Sequence, residues 1–528
     1  MINIKDFISK VFRGKQKQSD AIYITTTLPY VNASPHVGFA LEIVQADALA
    51  RFYRAQGKEV FFNTGTDEHG QKIFEAAKKA GKSPQDYVDF YASEFLKLKE
   101  ALNLSYDKFI RTTDEKHKRA AQELWKKALT KGDIYKKKYK GLYCVGCEAF
   151  VRESDLDEKG ECPNHPGKAL QEIEEENYFF ALTKYKKELK AYLQKKESII
   201  PEKRKKEALK ILESLEDISI SRSKERLSWG VPVPEDNSQV MYVWFDALTN
   251  YISTLGFPVE ENQVSQNIAE GTRKGFSAVG NQALQKSADG TRKDAESLFE
   301  KFWQKGKTIQ LAGKDQVKFQ SIIWQAMLIS ADIKPTDTVF YHGFVTSDGQ
   351  KMSKSLGNVI SPYDLVERYG TDATRYILLR HIHPTEDSDL SWSKMGEWYT
   401  ANLVNGLGNL TARIMKMAES YLDEPAQVTD TALDSAFVSA MQDFRFNEAM
   451  DIVWQKISEL DQKITETEPF KLIKLEPEKA KQIVKELVQG LSEVAEHLES
   501  LLPRSAKAIK DAIKQNKKPE SLFKRLND

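Results

Sequence analysis

Ala21-Ile22-Tyr23-Ile24-Thr25-Thr26-Thr27-Leu28-Pro29-Tyr30-Val31-Asn32-Ala33-Ser34-Pro35-His36-Val37-Gly38-Phe39-Ala40 is the stretch from which the fold can be read. Residues 21–27 are β-branched and aromatic enough for a buried strand. A loop bearing Pro, Asn and Ser follows. Residues 36–56 then carry Leu41, Val44, Leu49 and Phe52 at helical spacing. Glu59-Val60-Phe61-Phe62-Asn63 reads as a second strand and residues 71–80 as a second helix. Strand, helix and strand in alternation open a doubly wound, Rossmann-like α/β domain with a parallel sheet. Ligands of such folds sit beyond the carboxyl ends of the strands, where the His36 segment and Asp67 both fall.

Working outward, the alternation breaks over about residues 115–226, which read as an inserted domain. It is expected to resume at 239–245 and to continue through 308–311, a helix at 319–329 and a strand at 338–341. From about residue 387 strand signals vanish, and amphipathic stretches at 398–421, 431–465 and 476–501 predict an α-helical bundle. The expected organisation is an N-terminal basic extension (1–20), an α/β domain in two halves (21–114 and 227–386), the inserted domain between them, and a helical domain (387–528). Residues 260–296 are rich in Gln, Asn, Gly, Ser and Lys and fit none of these elements. They read as a polar surface insertion.

A chain of 528 residues exceeds what one core usually supports, so several domains are expected. The net charge of +1 conceals two basic runs, Lys136-Lys137-Lys138-Tyr139-Lys140 and Lys203-Arg204-Lys205-Lys206. Each can be a solvated face or a nucleic-acid contact. No apolar run is long enough to span a bilayer, and residues 1–20 lack the apolar core of a secretory signal. The three cysteines lie within one short stretch, which suits a metal site in a reducing, cytoplasmic setting better than a disulfide framework.

Four groups of residues carry chemistry. Pro35-His36-Val37-Gly38 stands where a loop enters a helix, and free N–H groups there favour an anion, although such a tetrapeptide also serves as a plain turn. Lys351-Met352-Ser353-Lys354-Ser355 follows a turn at Ser347-Asp348-Gly349, and its two lysines can clamp the charge of a leaving pyrophosphate. Asp67 at a strand end can bind an ammonium or cap the helix that begins at Gln71. Cys144-Val145-Gly146-Cys147 and Cys162-Pro163-Asn164-His165 pair three thiolates with one imidazole, a set suited to one structural, tetrahedral zinc; buried thiols beside a chance histidine are the alternative. In the helical region Asn405, Asn409 and Arg413 share a helix face at i, i+4, i+8.

The His36 and Lys351 segments together resemble the two signatures of class I aminoacyl-tRNA synthetases. Gly65-Thr66-Asp67-Glu68-His69-Gly70 narrows the resemblance to the methionyl-tRNA synthetase family, from about Ile22 to the C-terminus. The resemblance implies that ATP, with Mg2+, and L-methionine react to an adenylate that is passed to methionine tRNA. It implies ATP contacts from His36, Gly38, Gly313, Asp315 and Lys354, with His36, Lys351 and Lys354 stabilising the transition state. A methionine pocket of Leu28, Tyr30, Asp67, Trp244 and Tyr251 is likewise implied. So are zinc at the cysteine knuckle and reading of the CAU anticodon by Asn409 and Arg413 beside Asn405, with Phe470 stacking on a base. A monomer without a membrane partner is expected.

The chain departs from the family pattern at Phe39, where a second histidine is usual, and at Gln320, where the family has histidine. Relatives that charge isoleucine, leucine or valine carry a large editing domain, for which the stretch from Phe39 to Lys351 is too short. The two departures also motivate a second reading, a catalytically weakened synthetase-like RNA-binding protein.

Overall fold

The structure, a computed structural model, describes residues 20–144, 149–151, 155–163, 165–258, 296–352 and 358–526. The extension up to residue 19, Cys147, Lys354 and residues 260–295 of the expected insertion lie outside them.

Among the described residues, six strands build the main sheet. They are β1 Ala21–Thr25, β2 Glu59–Thr66, β3 Lys108–Arg111, β4 Ile199–Ile200, β5 Lys307–Gly313 and β6 Thr338–His342. Their order is β3-β2-β1-β5-β6-β4, and every pairing is parallel. All of β1 is buried, as its unbroken apolar run predicts for a strand covered on both faces. Ile22 and Ile24 enter the core on one face and Tyr23 enters the core on the other, the period-two alternation of a strand.

The helix Val37–Ala55 links β1 to β2 and buries Leu41, Val44, Leu49 and Phe52. From β1 the chain proceeds to β2 and β3 on one side, while β5 and β6 lie on the other. The junction of β1 with β5 is therefore the switch point, where a crevice opens beyond the carboxyl ends.

Three expectations need correction. The stretch 115–226 is not wholly an insertion, since its Ile199–Ile200 pairs with β6 at the edge of the main sheet. Residues 239–245 do not rejoin the main sheet: Asp236–Met241 pairs antiparallel with Pro232–Val233 and Ser221–Ser223, and Val243–Leu248 is a helix. A short apolar run cannot be assigned to strand or helix by periodicity alone, and here packing decided. The stretch 431–465 is two helices, Ser435–Gln442 and Phe446–Thr467, broken where Phe444 takes a φ of 60°.

The basic run at Lys136 lies in the strand Ile134–Cys144, antiparallel to Gln171–Phe180. Lys138 and Lys140 stand opposite Glu176 and Glu174, Lys140 also reaches Glu172 at 2.8 Å, and Lys136 reaches Asp236 at 2.8 Å. The second run is engaged within the chain too, since Lys205 donates to the carbonyls of Lys195 and Lys196.

After residue 390 the chain is helical from Trp392 through Tyr421 and continues in Pro477–Leu498 and Pro503–Gln515. Leu403, Trp454 and Leu491 of these helices share one core with Ile22, Leu41 and Phe340. No helix among the described residues is long and apolar enough to cross a membrane.

Candidate functional site

A cleft of about 840 Å3 opens at the switch point. It is lined by Leu28, Tyr30, His36, Gly38, Asp67, Trp244, Tyr251, Gly313 and Asp315, so residues distant in the sequence converge there.

His36 caps the helix Val37–Ala55 in extended conformation, and the Gly38 N–H donates to its Nδ1 at 3.0 Å. With Nδ1 accepting, the neutral ring carries its proton on Nε2. Burial, and then the charge of His342, hold the His36 pKa below the ordinary imidazole value. A neutral ring with an Nε2–H donor is therefore presented at a helix N-terminus, a position that favours anions. Gly38 is required by this cap. A Cβ there would lie 2.9 Å from His36 Cε1, so any side chain would displace the ring. Phe39 is buried edge-on against Phe95 with centroids 5.4 Å apart, and both rings contribute to the wall of the cleft.

Glu42, one turn further along the helix, is a buried acid that the sequence reading missed. It accepts from the Thr27 N–H at 2.7 Å and the Thr27 hydroxyl at 2.6 Å, just past β1. It also accepts from His342 Nε2 at 2.9 Å, at the end of β6. His342 Nδ1 lies 2.8 Å from the Gly343 carbonyl. Both ring nitrogens thus face oxygen atoms, an arrangement that favours the protonated ring. Burial opposes that charge, but the Glu42 bond and charge outweigh it and raise the His342 pKa. The usable signal in the sequence was a carboxylate on an otherwise apolar helix face.

Asp67 is 7 % exposed and bridges to Tyr30. Its N–H donates to the Pro29 carbonyl at 3.0 Å, which joins the β2 end to the loop after β1. Trp244 packs against Tyr242 and Phe319, and Tyr251 sits edge-tilted on Trp324. The position of Gln320 is resolved as a pocket contact: its Nε2 donates to the Tyr251 hydroxyl at 2.7 Å. Burial raises the Tyr251 pKa, so the phenol stays protonated.

Gly313 ends β5, where a Cβ would meet Asp315 Oδ1 at 2.7 Å. Asp348 and Gly349, with φ of 51° and 74°, form the tight turn between Val345–Ser347 and Gln350–Lys351. The hairpin is tied down by Asp389, which accepts from the Gly349 N–H at 2.7 Å. It brings Met352 to the wall of the cleft, at the start of the segment that continues to Lys354.

Away from the cleft, Cys144, Cys162 and His165 present ligand atoms within 4.8 Å of one another, with both thiols buried. Cys144 Sγ and His165 Nδ1 are 3.8 Å apart. Ordinary zinc bond lengths at a tetrahedral angle place such atoms about 3.5 Å apart, so the donors fit that ion. On the helical end Asn405 and Asn409 are exposed, Arg413 forms an ion pair with Asp461, and Phe470 is 43 % exposed.

The family described as tRNA synthetases class I (M) matches residues 22–173 and 166–415. A methionine–tRNA ligase of Fusobacterium nucleatum is 36 % identical over 508 residues, covering 93 % of this chain and 74 % of its own. That of Rhizobium meliloti is 35 % identical over 514 residues, covering 94 % and 92 %. Among solved structures, Mycobacterium tuberculosis methionyl-tRNA synthetase in complex with methionyl-adenylate superposes with a TM-score of 0.80 at 33 % identity, covering 93 % of each chain. With matches of this extent, the chain belongs to the methionyl-tRNA synthetase family of class I aminoacyl-tRNA synthetases.

Proposed function

We propose that the protein joins L-methionine to methionine tRNA at the expense of ATP, through methionyl-adenylate, releasing AMP and diphosphate. The observation that carries this reading is the cleft itself. One space holds a helix N-terminus with a neutral His36 donor and a buried carboxylate, Asp67, beside the Trp244 and Tyr251 rings.

In this reading Asp67 takes the substrate ammonium, while Leu28, Tyr30, Trp244 and Tyr251 surround the thioether, whose sulfur makes favourable ring contacts. Asp315 binds the ribose beside Gly313, and His36 Nε2–H donates to a phosphate oxygen over Gly38. The methionine carboxylate attacks the α-phosphorus and diphosphate leaves with its Mg2+. The nucleophile is already ionised, so no side chain takes a proton, and catalysis is positioning plus charge stabilisation. Lys351 and Lys354 offset the charge that grows on diphosphate. Cys144, Cys147, Cys162 and His165 hold one structural zinc, which supplies a cross-link and no reaction step. Asn409 and Arg413, with Asn405 beside them, read the CAU anticodon, and Phe470 stacks on a base. The protein acts as a cytoplasmic monomer. The second reading, a catalytically weakened relative, loses its motive at Gln320, which has a defined partner in Tyr251.

The test is ATP–diphosphate exchange with each of the twenty amino acids, followed by tRNA charging. Methionine alone is expected to drive exchange, and exchange driven by another amino acid in its place overturns the reading.

A further inference from the structure

The loop that carries Asp67 is held at each residue that follows. The Glu68 carboxylate accepts from Arg111 Nε at 2.7 Å and Nη2 at 2.9 Å, and the Glu68 carbonyl accepts from Trp229 Nε1 at 2.7 Å. The next residue, His69, is 2 % exposed, and its Nδ1 lies 2.6 Å from Asp246. The other Asp246 oxygen lies 2.8 Å from His117 Nε2, and His117 Nδ1 lies 2.8 Å from Ser253 Oγ. None of these four side chains lines the cleft.

Asp246 sits one helical position beyond Phe245 in Val243–Leu248, the same short helix that bears Trp244. Burial pushes its carboxyl up, but the imidazoles beside it more than offset this and hold it at about 2. A buried carboxylate is costly unless its oxygens are bonded, and here each oxygen has an imidazole. His69 and Asp246 are 177 residues apart in sequence, so this bond ties the loop after β2 to the helix that walls the aromatic pocket.

We propose that Asp246, with His69 and His117, is a positioning cluster that sets where the Asp67 carboxylate stands relative to the Trp244 and Tyr251 pocket. This rests on the function proposed above. An amino acid is then recognised by the spacing between its ammonium and its side chain, with neither end read alone. The sensitivity of such spacing is high, since a misplacement of about 1 Å can cost about 100-fold.

The test uses Asp246→Asn in the full-length protein. The amide keeps the shape of the carboxylate but leaves only one oxygen to accept. Methioninol and 4-(methylthio)butan-1-ol, which differ only in the amine, are compared as inhibitors of exchange. The expected results are a rise of about tenfold in KM for methionine and an ATP KM within about twofold of wild type. The preference for methioninol over the deaminated alcohol should fall about tenfold. His69→Gln, which retains an amide donor, should move the same ratio in the same direction by less, and it provides the reading if Asp246→Asn does not fold. An unchanged inhibitor ratio in both variants overturns the proposal, as does an equal rise in both KM values. Failure of the wild-type protein to exchange with methionine overturns the functional reading instead.

Discussion

The side-chain nitrogen of Gln320 lies 2.7 Å from the hydroxyl oxygen of Tyr251, at the buried side of the cleft. Because the amide donates, the phenol proton is left to point elsewhere, and burial keeps that proton in place. A thioether sulfur is a weak acceptor for it. The methylene that replaces sulfur in norleucine accepts nothing.

Discrimination between methionine and norleucine is therefore expected to depend on this pair. Tyr251→Phe should cut the ratio of their kcat/KM values about fivefold, the equivalent of about 1 kcal/mol for one hydrogen bond. Gln320→Leu should do nearly the same, and the double variant should lose no more than either alone, because one bond orients the other. Additive losses in exchange assays would show that Gln320 acts separately from the phenol.

A second expectation concerns His342, whose two ring nitrogens both face acceptors. Its pKa in the native protein is raised above the ordinary 6.5. Below pH 6.5 the native and unfolded states both carry the proton, so the Glu42 pair contributes its full stabilisation. Above 6.5 the unfolded state gives up the proton first, and the stabilisation is lost as pH climbs through the raised native value. Urea midpoints measured from pH 6 to pH 9 should fall with pH, and His342→Gln should flatten that slope while lowering stability overall. An identical slope in the variant refutes the pairing.

The cysteine cluster leads to a third. Protein purified without chelator should contain one zinc per chain, measured by elemental analysis. Cys144→Ser with Cys162→Ser should lose it and render the region from 134 to 180 sensitive to protease. Strong chelation should have the same effect on the parent protein, because a structural ion contributes directly to local folding. Zinc absent from fresh protein, or protease resistance unchanged in the double variant, would count against the site.

What could be read from the sequence is what is local. The β1 run, the His36 cap and the Asp348-Gly349 hairpin each complete their physics within a few residues, so pattern alone located them. Pairings across the chain had no such trace. His69 and Asp246 meet only because β2 and the Val243–Leu248 helix are brought together by the fold, and Glu42 meets His342 300 residues away. Trp244 was found through a family pattern, while periodicity alone assigned its helix to a strand. The run at Lys136 stayed open between a solvated face and a nucleic-acid contact because its partner strand, Gln171–Phe180, lies beyond any local window.

The last prediction concerns Arg413. In the free protein its Nη1 is bound by Asp461, and both side chains are substantially exposed. An exposed ion pair of this kind is worth about 0–1 kcal/mol, whereas a good contact to a base edge is worth about 1–3 kcal/mol. Binding of tRNA can therefore draw Arg413 from Asp461 to a base, and the ion pair is a resting arrangement that does not bar recognition. Arg413→Ala should lower tRNA charging by about 10- to 100-fold. Asp461→Asn should change charging by no more than about fivefold, since only the weaker of the two interactions is removed. Neither variant should alter methionine-dependent exchange without tRNA, because both residues lie on the helical region, outside the cleft lining. Exchange and charging are to be measured on the same preparations. If Arg413→Ala impairs both alike, or if a tRNA with a changed anticodon is charged as well as the native one, Arg413 does not read the anticodon.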